Sequence, residues 1–314
     1  MNLKGLDFNL FSLEISLLII ISVVTNATAS IMRGEYTKRY PMSGKYLWSF
    51  QTIQNLFCFL AVAAIYALSG VEIFKFSPFS IGLGLLFAIA NILNIESTLK
   101  AQSCGSFAYT MTIVSLSTLL PTLSGAAFFG EKITWSQYIG ILLMIVCILL
   151  FPSKSDGDNK SVNLKWVLFC TLAFFAAGST GIIQKVHQSN EAHKSEMSVL
   201  LLTCFLVSFL FSLFKLLSEA SSDKKTENNP EALPSKSFVI AGVSGLCFAF
   251  PNAINLFLSG KMVAAVFFPT VNLCPMLITM LYAVFVLREK LTAKQWSGIA
   301  VGILSTVFLS GAIG

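Results

Sequence analysis

Ten runs of about 20 predominantly apolar residues, divided by charged or turn-forming punctuation, constrain this 314-residue chain more than any motif in it. As a helix, one such run crosses roughly 30 Å of hydrocarbon, so ten use about 200 positions and leave about ten for each connection. No separate soluble domain fits. The predicted spans are 9–30, 46–68, 79–99, 105–129, 134–151, 164–184, 197–217, 237–258, 263–286 and 294–312, and the fold class they define is all-α integral membrane, multi-pass. Composition agrees, with 55% hydrophobic residues, 11% charged residues and a mean hydropathy of +0.77, far from the soluble average. Trp48, Trp135, Trp166 and Trp296 each begin a span, where amphipathic rings settle at headgroup level. The first apolar run lacks a preceding basic stretch and a small-residue cleavage site, so it reads as a retained span and not a signal peptide.

Several function classes are disfavoured by what the chain contains. His187 and His193 lie six apart in a polar stretch, the wrong spacing for two metal ligands on one helical face. Cys58, Cys104, Cys147, Cys170, Cys204, Cys247 and Cys274 are dispersed in or beside apolar runs; they read as small hydrophobes, not a disulfide framework. A net charge of +6 is spread over short connections without interleaved aromatics, so no nucleic acid partner is expected. No Walker loop, HExxH or nucleophile with a partnered base is present. The expectation is therefore no enzyme, no cofactor and no ATP-driven cycle, with the lipid bilayer and a small-molecule substrate as partners.

The chain also repeats itself. Gly130-Glu131-Lys132-Ile133-Thr134 matches Arg288-Glu289-Lys290-Leu291-Thr292 at an offset of 158 residues, and Gln137, Gly140 and Ile141 match Gln295, Gly298 and Ile299 at the same offset, as Asn94 matches Asn252. Matched polar residues at one constant offset are harder to obtain by chance than matched leucines. The predicted organisation is a first five-helix repeat over 1–151, a polar linker over 152–163 and a second five-helix repeat over 164–314. Ser218–Lys236 is a second long polar connection. Because five is odd, the second copy enters the membrane from the opposite side, an inverted arrangement that places a substrate site near the midplane. A scaffold that kept the fold without transport is the competing reading.

The stretch from Phe129 to Ile141 (FGEKITWSQYIGI), with its partner from Leu287 to Ile299 (LREKLTAKQWSGI), resembles the junction between the fourth and fifth spans of EamA-like repeats in the drug/metabolite transporter superfamily. The resemblance implies a ten-helix fold over nearly the whole chain with internal termini, and does not identify a substrate; together with the inverted repeat it leads to the expectation of a secondary carrier that moves a small polar metabolite by alternating access, in a plasma membrane. A second likeness, carried by Thr25 to Glu35 (TNATASIMRGE), Gly44 to Ser49 (GKYLWS) and Phe107-Ala108-Tyr109, is to the nucleotide-sugar branch. That branch commonly carries a lysine in the fourth span where this sequence has Leu116, so a nucleotide-sugar exchanger stands second.

Polar groups within apolar runs are the candidates for function, since hydrocarbon tolerates them only where they face a cavity or one another. Asn91, Asn94 and Thr98 share one helical face of the third span, and Asn252 and Asn255 lie on the eighth. Amides offer donors and acceptors without a full charge; they serve equally as glue between helices. The fourth span is dense in hydroxyls (Tyr109, Thr110, Thr112, Ser115, Ser117, Thr118, Thr122) and contains Pro121; the ninth has Thr270, Asn272 and Pro275. Each proline frees a carbonyl for a substrate, a water or a neighbouring hydroxyl. The substrate-binding set is Asn91, Asn94, Thr98, Tyr109, Ser117, Asn252, Asn255, Thr270 and Asn272. Thr25 to Ser30 is small and polar enough to line a path or admit a close neighbour, and Gly298 with Gly302 forms a GxxxG pair for packing within the bundle or for a homodimer.

Glu14, on a turn with Phe11, Leu13, Ile15 and Leu17, is the candidate for proton coupling, unless it snorkels to the headgroups. Glu96 and Lys100 have the order of an i,i+4 ion pair, and Glu131 and Glu289 read as N-terminal caps of the fifth and tenth spans. Orientation stays open: the odd-numbered connections carry more Lys and Arg than the even-numbered ones, which favours external termini, against the resemblance.

Overall fold

A computed structural model describes residues 3–69, 76–132, 134–150, 164–223, 234–289, 291 and 293–309. The polar linker 152–163 and the middle of the second long connection lie outside these. Ten apolar runs give eleven α-helices, and no strand occurs among the described residues: α1 Leu3–Arg39, α2 Gly44–Leu68, α3 Pro78–Cys104, α4 Phe107–Ser115, α5 Leu119–Phe129, α6 Trp135–Leu150, α7 Leu164–Ser189, α8 Met197–Asp223, α9 Ser235–Ser259, α10 Ala264–Phe285 and α11 Ala293–Leu309. With α4 and α5 counted as one span, eight are long and apolar enough to cross a membrane, while the apolar stretches of the fifth helix of each half, 135–146 and 296–309, are shorter.

Several boundaries differ from the sequence reading, the most informative at α1, at the second long connection and in the fourth span. α1 runs on to Arg39 instead of stopping near residue 30, because Arg33 and Tyr36, which interrupt the apolar pattern, are buried against protein and not exposed to lipid. α8 continues through Ser218 to Asp223 and α9 begins at Ser235, so both ends of the second long connection are helical. The fourth span breaks at a 3-10 turn, Leu116–Thr118; Pro121 has no N–H for the residue-117 carbonyl and its ring crowds that carbonyl, which tightens the turn before it. In α10 the helix instead continues across Pro275.

Local chemistry fixes several helix starts. Ser77 Oγ accepts from Ser80 N at 3.1 Å with Pro78 at the first helical position, and Ser106 Oγ accepts from Tyr109 N at 3.3 Å. Trp135 and Trp296 are exposed as headgroup-level rings should be, but Trp48 is buried beside Phe211, and Trp166 donates to Thr110 Oγ1 at 3.1 Å, so these two are held by protein. Cys58, Cys104, Cys170, Cys204, Cys247 and Cys274 are free thiols; the side chain of Cys147 lies outside the described residues. Gly298 and Gly302 are buried within the chain. Glu96 and Lys100 pair at 2.6 Å as their spacing predicts.

The packing interleaves the two halves. α1 packs on α9 and, equivalently, α7 on α3; α1 also touches α10 as α7 touches α5; α2 packs on α8 and α6 on α11. Buried Phe87, Leu200, Leu201, Phe205 and Leu256 fill one core between halves, and Phe50, Leu47, Ile95 and Leu99 another around Tyr36, whose hydroxyl donates to the Tyr46 carbonyl at 2.9 Å. Large apolar side chains such as Leu17, Ile20, Leu86, Ile89, Leu210, Phe214 and Val239 point outward, the surface a bilayer requires.

The repeated junction has the same geometry twice. Gly130 (φ 66°) and Arg288 (φ 54°) occupy the left-handed region, and the following amides, Glu131 N and Glu289 N, reach back to Gly125 O (3.2 Å) and Ala283 O (3.0 Å). Among the described residues neither glutamate bonds to its own following helix, where the sequence reading expected a cap. Glu131 Oε2 accepts from Ala264 N of α10 at 2.9 Å, and Glu289 accepts from Phe107 N at 3.0 Å, Ala108 N at 3.2 Å and Ser106 Oγ at 2.8 Å, at the start of α4. The helix termini in reach belong to the other half, because α4–α5 and α10 run antiparallel and each starts where the other ends. Gly125 makes room on one side: a Cβ there would lie 2.5 Å from Glu131 Oε2.

Candidate functional site

A cavity of about 130 Å³ lies between α1, α3 and α4–α5 of the first half and α7, α9 and α10 of the second. These are the first, third and fourth spans of each half. Its wall pairs residues at the repeat offset of 158: Asn26 with Gln184, Asn94 with Asn252, Val114 with Asn272, Ser117 with Pro275 and Thr118 with Met276. Gly178 and Gly181 of α7 let that helix close on Leu120 and Pro121 of α5, where a Cβ on Gly181 would lie 3.0 Å from Pro121 Cγ.

Six of the nine expected binding residues meet here: Asn94, Thr98, Ser117, Asn252, Asn255 and Asn272. Their amides are partly engaged. Thr98 Oγ1 donates to Asn94 Oδ1 at 3.2 Å and Ser22 Oγ to Asn255 Oδ1 at 2.8 Å, while Asn252 Nδ2 and Asn272 Nδ2 donate to Phe248 O and Phe268 O at 2.8 and 2.9 Å. Each amide keeps hydrogen-bonding capacity beyond these contacts. The break in the fourth span brings Ser115, Ser117 and Thr118 to the wall, whereas Thr110 and Thr112 bond back to Ser106 O and Ala108 O.

Asn91, Tyr109 and Thr270 are not part of the wall. Asn91 Nδ2 donates to Asn55 Oδ1 at 3.2 Å and Ser208 Oγ at 3.3 Å, joining α3 to α2 and α8; Tyr109 packs edge-on to Trp166; Thr270 Oγ1 bonds back to Val266 O at 2.7 Å. Glu14 is exposed near the start of α1, twelve residues and so about 18 Å of helix before Asn26.

Among the wall residues outside the expected set are Arg33 and Gln184. Arg33 follows Asn26 and Ser30 at helical spacing, and that row on α1 was the available signal, cut off by ending the first span too early. Gln184 was reachable by applying the 158 offset to Asn26. Arg33 is the one charged side chain on the wall among the described residues.

Polar contacts tie helices together beyond the cavity. Lys185 Nζ pairs with Glu131 Oε1 at 2.8 Å and donates to Ser259 O and Met262 O. Tyr282 donates to Glu35, which also pairs with Arg39 at 2.7 Å. The turn before α8 carries buried Glu196, which accepts from Ser77, from Ser80 at 2.6 Å and from His193 at 3.1 Å; Ser80 Oγ is also 3.1 Å from His187 Nε2. Burial opposes ionisation of Glu196, but the hydrogen bonds from Ser77, Ser80 and His193 outweigh it and hold the carboxyl at about 2. No group of His, Cys, Asp and Glu suited to a metal ion occurs among the described residues.

Eight helices long and apolar enough to cross a membrane, around a polar cavity, support an integral, multi-pass membrane protein. Residues 164–311 match the EamA-like transporter family, a likeness that supports the drug/metabolite transporter superfamily and suggests a transporter of small molecules. A protein of known crystal structure shares the fold with a TM-score of 0.61 and 14% identity, over 95% of this chain and 97% of that one. The search of curated proteins gave no match.

Proposed function

We propose that the chain is a secondary transporter that moves a small polar metabolite across a membrane, the plasma membrane in this reading, by alternating access between two inverted five-helix repeats. The observation that carries the reading is the cavity wall, built from equivalent positions of both halves: Asn26 and Gln184, Asn94 and Asn252. A site on such an axis meets the same chemistry from either direction, and rocking one set of helices against the other exposes it to each side in turn. The clamps at Glu131 and Glu289 join α4–α5 and α10 at opposite ends of the pair, where closing contacts of an alternating cycle belong. A volume of about 130 Å³ lies below the roughly 300 Å³ of a drug-sized site, which favours a metabolite over a nucleotide-sugar.

The test has two arms. Single cysteines placed at Lys132 and at Lys290, each in a cysteine-free background, react with an impermeant thiol reagent from opposite sides of the membrane; labelling from one side removes the inverted repeat. Purified protein in liposomes exchanges labelled for unlabelled solute from a panel of amino acids, organic acids, sugars and nucleosides. Absence of exchange across that panel overturns the carrier and leaves a scaffold.

A further inference from the structure

Resting on the carrier reading, we infer that Arg33 is the subsite for an anionic group of the transported solute, a carboxylate or a phosphate. The side chain is 6% exposed, and it reaches the cavity wall from α1. Its guanidinium carbon lies 4.2 Å from the centroid of the Phe248 ring, and Nε donates to Gln54 Oε1 at 3.2 Å. Stacking and this one hydrogen bond fix the plane of the group. Nη2 is buried with no hydrogen-bond partner, and no carboxylate among the described residues pairs with Arg33.

The other buried cation shows how the fold treats a charge it means to neutralise. Lys185 has Glu131 at 2.8 Å and two backbone carbonyls. Among the described residues Arg33 has the neutral Gln54 oxygen and an aromatic face and no carboxylate, so the protein compensates the desolvation of its charge only in part. A guanidinium held by Nε and by one face still offers the Nη fork, which matches two oxygens of a carboxylate or phosphate. Asn94 and Asn252, beside it on the wall, offer hydrogen bonds to neutral parts of the same solute.

The experiment uses matched pairs of probes with the full-length protein in nanodiscs: succinate against succinamide, and glycerol phosphate against glycerol. A ligand that binds only the folded state raises the apparent melting temperature, increasingly as its concentration exceeds its Kd. The expected result is stabilisation by an anionic member and not by its neutral partner, with the two pairs separating carboxylate from phosphate. Arg33→Gln should weaken that binding at least tenfold, and Arg33→Lys should keep the anion preference with reduced affinity. Neutral members binding as well as anions, neither anion binding, or wild-type affinity in Arg33→Gln overturns the inference. If Arg33→Gln does not accumulate, the wild-type pairs and Arg33→Lys decide it. Liposome exchange separates the two claims: anion binding through Arg33 without exchange keeps the subsite and removes the carrier, whereas exchange of neutral members, unchanged in Arg33→Lys, keeps the carrier and removes the subsite.

Discussion

Glu131 and Glu289 stand 158 residues apart and make one contact twice, each carboxylate receiving the first amides of the opposite half's fourth span, Ala264 N at 2.9 Å and Phe107 N at 3.0 Å. A helix N-terminus carries unsatisfied N–H groups and a partial positive charge, so a carboxylate there meets both needs. By accepting from the far half, each glutamate stitches the two halves of the chain together.

The two clamps should not be equally costly to break. Among the described residues the partners of Glu289 are neutral donors, so Glu289→Gln should lose about 0.3–2 kcal/mol. Glu131 also neutralises Lys185, both side chains being largely buried, and breaking one member of such a pair costs about 3–5 kcal/mol. Glu131→Gln should therefore lower the melting temperature further, and Glu131→Gln with Lys185→Met should recover part of the loss. Equal melting temperatures for the two single variants would refute the asymmetry.

The amides of α3 divide into two kinds. Asn94→Ala, and Asn252→Ala on α9, remove groups from the cavity wall and should reduce exchange at least tenfold, equivalent to about 1.4 kcal/mol, at near-normal protein levels. Asn91→Ala removes bonds to Asn55 and Ser208 and should instead lower stability by about 0.6–2 kcal/mol while leaving substrate affinity unchanged. The check is to measure exchange and melting on the same preparations.

Glu196 predicts an acid-sensitive contact between α3 and the start of α8. Its folded carboxyl is held at about 2 against the 4.5 of a free glutamate, so the stabilisation is whole above about pH 4.5 and is lost as the pH falls through 2. Below pH 4.5 the difference in melting temperature between wild type and Glu196→Gln should shrink. A gap that stays constant down to pH 2.5 would contradict the assignment.

Gly245 marks a close approach of α9 to α2. An added Cβ would fall on the Gln54 carbonyl oxygen and lie 2.9 Å from Phe57 Cβ, where Cys58 Sγ already donates to Gly245 O at 3.1 Å. Gly245→Ala should cost about 1–3 kcal/mol through overpacking. Gly82→Ala, with nothing within 4 Å of its Cβ, should leave the melting temperature unchanged or raise it slightly, since alanine suits a helix interior better.

What the sequence determined by itself was the membrane, the all-helical class and the offset of 158, because the length of an apolar run and the spacing of repeated polar residues are one-dimensional properties. Asn94, Thr98, Ser117, Asn252, Asn255 and Asn272 were legible for the same reason, as polar side chains standing out within apolar runs. Burial, by contrast, is a property of neighbours. Asn91 and Asn94 sit one helical turn apart on α3, yet one bonds α2 and α8 and the other lines the cavity, a difference made by which helices flank each side of the turn. Arg33 looked like the end of a span because charge next to lipid is prohibitive; Phe248 and Gln54, more than 20 residues away in sequence, are what allow the helix to continue through it. The clamps needed the tertiary structure most. A glutamate ahead of a helix could serve its own N-terminus, and only the antiparallel packing of α4–α5 on α10 brings the other half's terminus into reach instead.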